Sequence, residues 1–303
     1  MRTALLVPCY NAVRFLPRLR AQVERLQPAF DEVLLADDAS TDATAEQAAA
    51  LGFRVLRLPS NRGPGGARNA LAQAATAEWI HFHDVDDEIA PDYLAHVLPA
   101  VGPAADAVLH SLDFIRESDR HLIRAWRTDA AGLARDPAEQ LLRFPLPTSA
   151  SFLRRAVFLQ LGGFDEQHRC FEDGDFHFRM AASGARLVSM PDVLGWSLRH
   201  DGGASANQRY CFGCRVDYLE SYADQHARLH AAIAAEAEYA AAQLLRYGDR
   251  PNAERAIALG RRLGRTIPSS HSVLVRMLRP FLPAATLLGW QDRWRRHQQS
   301  PDR

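Results

Sequence analysis

The chain contains no lysine. All 36 of its Lys/Arg positions are arginine, set against 36 acids, so the formal net charge is zero. That absence excludes Schiff-base chemistry on a lysine amine. Any phosphate must be met by Arg, by backbone N–H groups or by a metal. Zero net charge also supplies no global field for nucleic acid, and no nucleic-acid partner is expected. Cysteine is scarce: Cys9, Cys170, Cys211 and Cys214 make no disulfide framework in 303 residues. The Cys211/Cys214 pair lacks the second pair of ligands a structural zinc needs, so incidental thiols are the expectation. Long apolar runs are missing too. The one in "MRTALLVPCYN" is too short for a signal peptide, and nothing reaches the ~20 apolar residues of a membrane span. A cytoplasmic protein is expected.

What is present is ample for a core: 47% apolar and 24% charged residues suit one large domain, or one domain with an appendage. Over the first hundred residues, apolar runs ("TALLVP", "EVLLADD", "FRVLRLP", "EWIHFHD") alternate with segments of helical spacing ("RFLPRLRAQVERLQPAF", "TDATAEQAAAL", "GARNALAQAAT"). Continuous apolar strands alternating with helices predict a parallel sheet covered on both faces. The ligand site of such a sheet lies beyond the carboxyl ends of its strands. The polar clusters fall there: "PCYN", "DDAS", "SNRGPGGARN" and "DVDD", one after each strand in turn. From about 105 the pattern changes to paired strands ("DAVLHSLDFI", "HLIRAWRT"). A strand, short helix and Gly turn follow ("TSASFLRRAVFLQLGGFDE"), then a helix running into a strand ("FEDGDFHFRMAASGARLVSM"). Beyond Tyr210 strand signals stop and long Ala-rich helices take over. A boundary is expected near 215–225, giving a domain of 1–215, with halves 1–104 and 105–215, and a helical region of 216–303.

Several clusters carry chemistry. In "HDVDD", Asp84, Asp86 and Asp87 crowd like charges at the end of a strand. Either water solvates them in a turn, or a hard divalent cation, Mg²⁺ or Mn²⁺, holds them with diphosphate oxygens as further ligands. In "SNRGPGGARN" the glycines permit close backbone approach, and the helix start offers N–H groups to an anion; a plain turn has the same composition. Of Asp37 and Asp38, one can cap the following helix while the other accepts a hydrogen bond from a base N–H or a ribose hydroxyl. In "FEDGDF", a carboxylate beside a sugar hydroxyl can serve as general base, although acids in a first helical turn are also ordinary dipole partners. His200 precedes a Gly-rich loop and would complete a mixed O/N shell if it reached Asp86.

Taken together, "LLVPCYN", "LLADDASTD", "NRGPGGARN", "FHDVDD", "SFLRRAVFLQLGGFDE", "FEDGDFHFRM" and "RHDGGAS", in that order, resemble glycosyltransferase family 2, inverting nucleotide-sugar enzymes of the GT-A fold. The resemblance covers residues 3–205. It implies an α/β, Rossmann-like, mostly parallel sheet flanked by helices, here with an α-helical C-terminal extension. It further implies a base pocket lined by Pro8, Tyr10 and Asn11, with Asp38 on the base. Gly65 would lie near the diphosphate and Arg68 near the nucleotide, and Asp84 and Asp86 match the DxD motif. Asp86 would be the direct ligand of Mn²⁺ or Mg²⁺, with Asp87 as substitute, and His200 would ligate the metal or touch the diphosphate. Asp173 matches the base, with Glu172 beside it. The implied donor is a UDP-sugar, and the implied acceptor a hydroxyl of a glycan, a lipid-linked glycan or a small molecule. The competing readings are a nucleotidyltransferase and a non-catalytic sugar-nucleotide-binding or scaffold protein. The first would normally place a Gly-rich loop after the first strand, where this chain has "PCYNAVRF". The segment "FLPAATLLGWQDRWRRH", with Arg293, Arg295 and Arg296, fits either peripheral contact with an anionic membrane or pairing of two subunits.

Overall fold

A computed structural model describes residues 1–200, 207–269 and 273–299. The chain divides into two compact units, Met1–Gly203 and Ala204–Arg303. In the first unit the strands are β1 (Thr3–Cys9), β2 (Glu32–Asp37), β3 (Arg54–Arg57), β4 (Trp79–Phe82), β5 (Glu88–Ile89), β6 (Ala107–Arg116), β7 (Leu122–Trp126), β8 (Ser151–Arg154) and β9 (Leu187–Arg199). Its helices are α1 (Leu16–Arg25), α2 (Thr44–Ala50), α3 (Gly63–Ala74), α4 (Tyr93–Ala100), α5 (Ala130–Arg135), α6 (Pro137–Arg143), α7 (Arg155–Gln160) and α8 (Glu172–Ala182).

Among the described residues the strands form one nine-stranded sheet in the order β3-β2-β1-β4-β8-β6-β9-β5, with β7 beside β6. The four N-terminal strands are mutually parallel: β1 pairs with β2 and β4, and β2 with β3. Beyond β4 the sheet is mixed. β8 runs antiparallel to β4 and β6, and β9 runs parallel to β6. β1 is central, and Ala4, Leu5, Leu6 and Val7 are wholly buried, as a strand covered on both faces requires. Strand order reverses at β1, with β2 on one side and β4 on the other, so a crevice opens beyond their carboxyl ends. The polar loops sit there.

Two histidines, one in the short strand β4 and one just after it, have a packing role. His81 and His83 are buried, and burial pushes His81 well below the usual imidazole range and His83 down to about 4. Neutral, they act as aromatic bodies. His81 lies 4.4 Å from the Tyr93 ring, with Nδ1 3.0 Å from the Ser151 carbonyl oxygen.

The second unit is helical throughout its described residues: α9 (Gln208–Gln225), α10 (His230–Arg246), α11 (Arg250–Arg262), α12 (Val273–Leu278) and α13 (Ala284–Gln299). Small residues let α10 and α11 approach closely: Ala237, Ala240, Ala241, Ala253 and Ala256 are fully buried with Ile233 and Leu244. Asp249 starts α11 by accepting from Asn252 N at 3.2 Å. α9 runs unbroken across residue 215. Cys9 and Cys214 are free and buried, as incidental thiols would be. Cys170 and Cys211 are disulfide-bonded, which corrects that expectation for these two. No helix among the described residues is long and apolar enough to cross a membrane.

Candidate active site

The loop after β1 is tied to the loop after β2 by its own side chain. Asn11 sits in the left-handed region (φ 48°). Its Oδ1 accepts from Thr41 N at 2.9 Å, and its N–H donates to Ser40 Oγ. Asn11 therefore joins the two loops through its Oδ1 and backbone N–H. Pro8 is half-buried and Tyr10 exposed at the same edge.

The two acids at the end of β2 separate cleanly. Asp38 is buried, and its oxygens accept from Arg62 N (2.7 Å) and Gly63 N (2.8 Å) at the start of α3. It is the cap. Burial raises its pKa, against those two bonds. The resemblance had put Asp38 on the nucleotide base, whereas the structure spends its carboxylate on the helix. Asp37 is the residue left over: also buried, it has an Oδ1 with no hydrogen-bond partner in the structure. The sequence had raised it as the second member of the pair without choosing it.

Gly65 serves close packing. A Cβ there would lie 3.2 Å from the Asp165 carbonyl oxygen, 3.3 Å from Phe164 Cβ and 3.4 Å from Glu172 Cγ. With Asp38 filling the start of α3, the helix end is not an open anion cradle. Instead Gly65 lets the segment before α8 lie directly on α3.

That approach brings the two acidic motifs together on one guanidinium. Arg68, buried in α3, donates from Nη2 to Asp84 Oδ1 (2.5 Å) and from Nη1 to Glu172 Oε1 (2.8 Å). Burial alone would lower its pKa, but Asp84 and Glu172 outweigh it and raise it. The expectation had Arg68 beside the nucleotide; here both ends of its fork are taken by protein carboxylates. Their pKa values diverge. Burial works against the Asp84 charge, yet Arg68 overcomes it and holds the carboxyl below its usual range. Glu172 is pushed up to about 7 by burial and by Asp173, with Arg68 opposing. Asp173 is raised, chiefly by burial, although Arg68 and the Gly174 N–H (2.7 Å to Oδ1) favour its charge. A partly exposed carboxylate with a raised pKa, next to a site, is the profile of a general base.

The acids of "DVDD" point three ways. Asp84 faces Arg68. Asp87 turns inward: Leu198 N donates to its Oδ1 at 2.9 Å, and burial followed by the charges of Asp84 and Asp86 raises it well above the usual range. Asp87 thus ties the turn to β9, and its place as substitute metal ligand is corrected by that burial. Asp86 lies 2.8 Å from His200 (Oδ2 to Nε2), while His200 Nδ1 is 3.3 Å from Arg14 Nη2. Arginine only donates, so Nδ1 accepts and Nε2–H points at Asp86. In this arrangement His200 orients Asp86 and does not present a lone pair to a metal.

No three His, Cys, Asp or Glu side chains among the described residues gather as a metal cage. The donors do fit a hard cation of the Mg²⁺ or Mn²⁺ kind. Asp84 and Asp86 are 38% and 25% exposed, and such ions bind through one or two carboxylates plus substrate phosphates.

Comparison with known proteins agrees with this geometry. The family model described as glycosyl transferase family 2 matches residues 4–162. The chain is 35% identical over 120 residues to the succinoglycan biosynthesis protein ExoO of Rhizobium meliloti, covering 38% of this chain and 34% of that one. It spans between a third and about three fifths of the length of the first curated relatives it matches. Among solved structures, S. aureus TarS 1–349 in complex with UDP-GlcNAc has a TM-score of 0.61 at 18% identity, covering 96% of this chain and 89% of that one. The mannosyltransferase PcManGT from Pyrobaculum calidifontis, in complex with GDP-Man and Mn²⁺, has 0.61 at 19%, covering 97% and 87%. At these identities the two structures show the shared GT-A fold with its helical C-terminal region.

Proposed function

The chain belongs to glycosyl transferase family 2, and on that premise we propose that it moves a sugar, with inversion, from a UDP-sugar to a hydroxyl of a glycan or lipid-linked glycan. The observation that carries the reading is the Asp84–Arg68–Glu172 bridge. It fixes the acidic turn after β4 and the first turn of α8 at opposite ends of one guanidinium. Residues 1–104 form the donor half and 105–215 the acceptor half, with the helices after 216 as an appendage. The likeness to ExoO, a succinoglycan biosynthesis protein, supports a polysaccharide setting. TarS with UDP-GlcNAc and PcManGT with GDP-Man support a nucleotide-sugar donor.

In this reading Pro8 and Tyr10 line the base pocket, and the Asp37 Oδ1 left without a partner accepts from a base or ribose donor. Asp86, held by His200, and Asp84 would hold a divalent cation. When bound, that cation supplies positive charge for the leaving diphosphate. Asp173 takes the proton from the acceptor hydroxyl. The oxygen attacks the anomeric carbon from the face opposite the diphosphate, the C–O bond to the diphosphate breaks, and the configuration inverts. No covalent enzyme intermediate forms. Arg68 and Glu172 keep the α8 turn, and with it Asp173, in register with the β4 turn.

The test is calorimetric titration of UDP, TDP and GDP, with and without Mn²⁺, into wild type and Asp86→Ala. Mn²⁺-dependent binding of UDP, weakened at least about tenfold in the variant, is the expected result. Absence of binding by any nucleotide in a folded sample would overturn the enzymatic reading in favour of a scaffold.

A further inference from the structure

The helical unit carries an apolar, basic surface that the transfer reaction does not use. Leu274 and Met277 in α12, and Phe281 in the turn behind it, are 65%, 67% and 80% exposed. Their spacing of three and four residues puts them on one side of the helix and its continuation. The turn is well formed: Arg279 N bonds to Val275 O (3.1 Å), and Phe281 N to Leu278 O (3.0 Å). α13 then buries its inner residues, Ala284, Leu287 and Leu288, and leaves Trp290 half exposed. The segment from 273 to 299 carries five arginines (276, 279, 293, 295, 296) against one acid, Asp292. Three large apolar side chains held in water beside an excess of arginine match neither a core nor an ordinary solvated face.

A cavity of about 450 Å³ opens beside this face. Arg265, Arg276, Arg279, Thr266 and Ser269 line it, with Ala231, Ala234 and Leu263 among the apolar walls. Arg265 is held in place by Glu238 (2.6 Å) and donates to Ser269 Oγ (2.9 Å). Among the described residues neither Arg276 nor Arg279 has a carboxylate partner; Arg279 donates from Nη2 to the Pro268 carbonyl oxygen, and its buried Nε has no hydrogen-bond partner. A cavity lined by three arginines, one of which has a buried N–H without an acceptor, suits an anion.

We propose that this face docks on an anionic phospholipid membrane, with Leu274, Met277 and Phe281 entering the headgroup boundary and a lipid phosphate seated among Arg265, Arg276 and Arg279. Charge complementarity selects the occupant. A second copy of this chain would set the same excess of arginine against itself, whereas an anionic leaflet neutralises it. Amphipathic segments with apolar residues on one side and arginine on the other bind in this way, in proportion to apolar area and surface charge. The consequence for the transferase is proximity: an acceptor anchored in a lipid would be presented in two dimensions to an enzyme already on the surface.

The test is co-sedimentation of full-length protein, without nucleotide, with phosphatidylcholine vesicles and with vesicles containing phosphatidylglycerol. It therefore reads independently of the donor site. Wild type is expected to pellet with the anionic vesicles and to be released by salt. Arg276→Gln and Arg279→Gln should each weaken binding about fivefold. The combined Leu274→Ser, Met277→Ser, Phe281→Ser variant should lose roughly a hundredfold or more. All three variants are checked by circular dichroism; Arg276 and the apolar residues are exposed, so their replacement spares the core. Three results would each overturn the proposal. One is failure of wild type to pellet, including binding of inorganic phosphate in solution alone. Another is pelleting that the apolar variant does not reduce. The third is a wild-type dimer that this variant dissociates, which would assign the face to a second copy.

Discussion

The turn after β4 and the first turn of α8 hold comparable sets of acids, and the protein treats them in opposite ways. In the β4 turn three aspartates are dealt out to three partners: Asp84 to Arg68, Asp86 to His200, Asp87 to the Leu198 N–H. In α8, Glu172 and Asp173 stay adjacent, and both are raised above their usual range. Only Glu172 reaches the guanidinium directly. Charge is thus dispersed where a cation and a diphosphate would be received, and concentrated where a proton must be accepted. Environment, not residue type, divides the labour among carboxylates.

The comparison breaks most sharply at Asp173. Asp173→Asn is expected to lower transfer by roughly 10³-fold while leaving nucleotide binding intact, read as turnover against calorimetric affinity. Unchanged turnover would remove the base from α8 altogether. Next comes the bridge. Arg68→Gln leaves Asp84 and buried Glu172 without their counter-charge and should cost about 3–5 kcal/mol in denaturant unfolding. Arg68→Lys should recover only part of that, because one ammonium cannot fork to two carboxylates. Full recovery would mean that charge alone matters and that the two turns need no common anchor.

The raised pair also sets a pH dependence. Glu172 and Asp173 share an environment, so the acid limb of the rate profile belongs to the pair. It should lie above the ordinary carboxylate range, because burial raises both groups, Glu172 to about 7. The stability sign follows. The folded chain binds the Glu172 proton more tightly than the unfolded chain, so this group favours folding at acid pH. That contribution is lost as pH rises from about 4.5 through about 7. A rate profile already flat at pH 5 would contradict the coupling.

Much of this site was legible in the chain. The continuous apolar runs announced β1 to β4, and the polar clusters behind them marked the carboxyl edge. Acids at the start of a helical segment located α8. What could not be read was partnership across sequence. Arg68 meets acids 16 and 104 residues away, and no local spacing reports such distances. β5, two residues long, is too short for any period. His81 and His83 looked like polar intrusions in a strand, and only their burial, with the Tyr93 ring packed against His81, explains why neutral imidazoles belong there. The helical unit gave the reverse result: its helices were plain, but composition alone could not say which apolar residues would be left in water.

The smallest predicted effect separates the neighbours at the end of β2, where sequence could name two roles but not assign them. Asp38 accepts two backbone N–H bonds at the start of α3, so Asp38→Ala should lower stability by about 1–2 kcal/mol. Its effect on nucleotide affinity should be no larger than that loss of order. Asp37 has a buried oxygen with no partner, so Asp37→Asn should leave the melting temperature nearly unchanged. It should weaken nucleotide binding about tenfold, the usual value of a hydrogen bond to a charged group. Thermal melts and calorimetry on the same two samples decide the matter. If affinity falls with Asp38 and not with Asp37, the cap itself contacts the nucleotide, and the orphaned oxygen of Asp37 is strain kept for another reason.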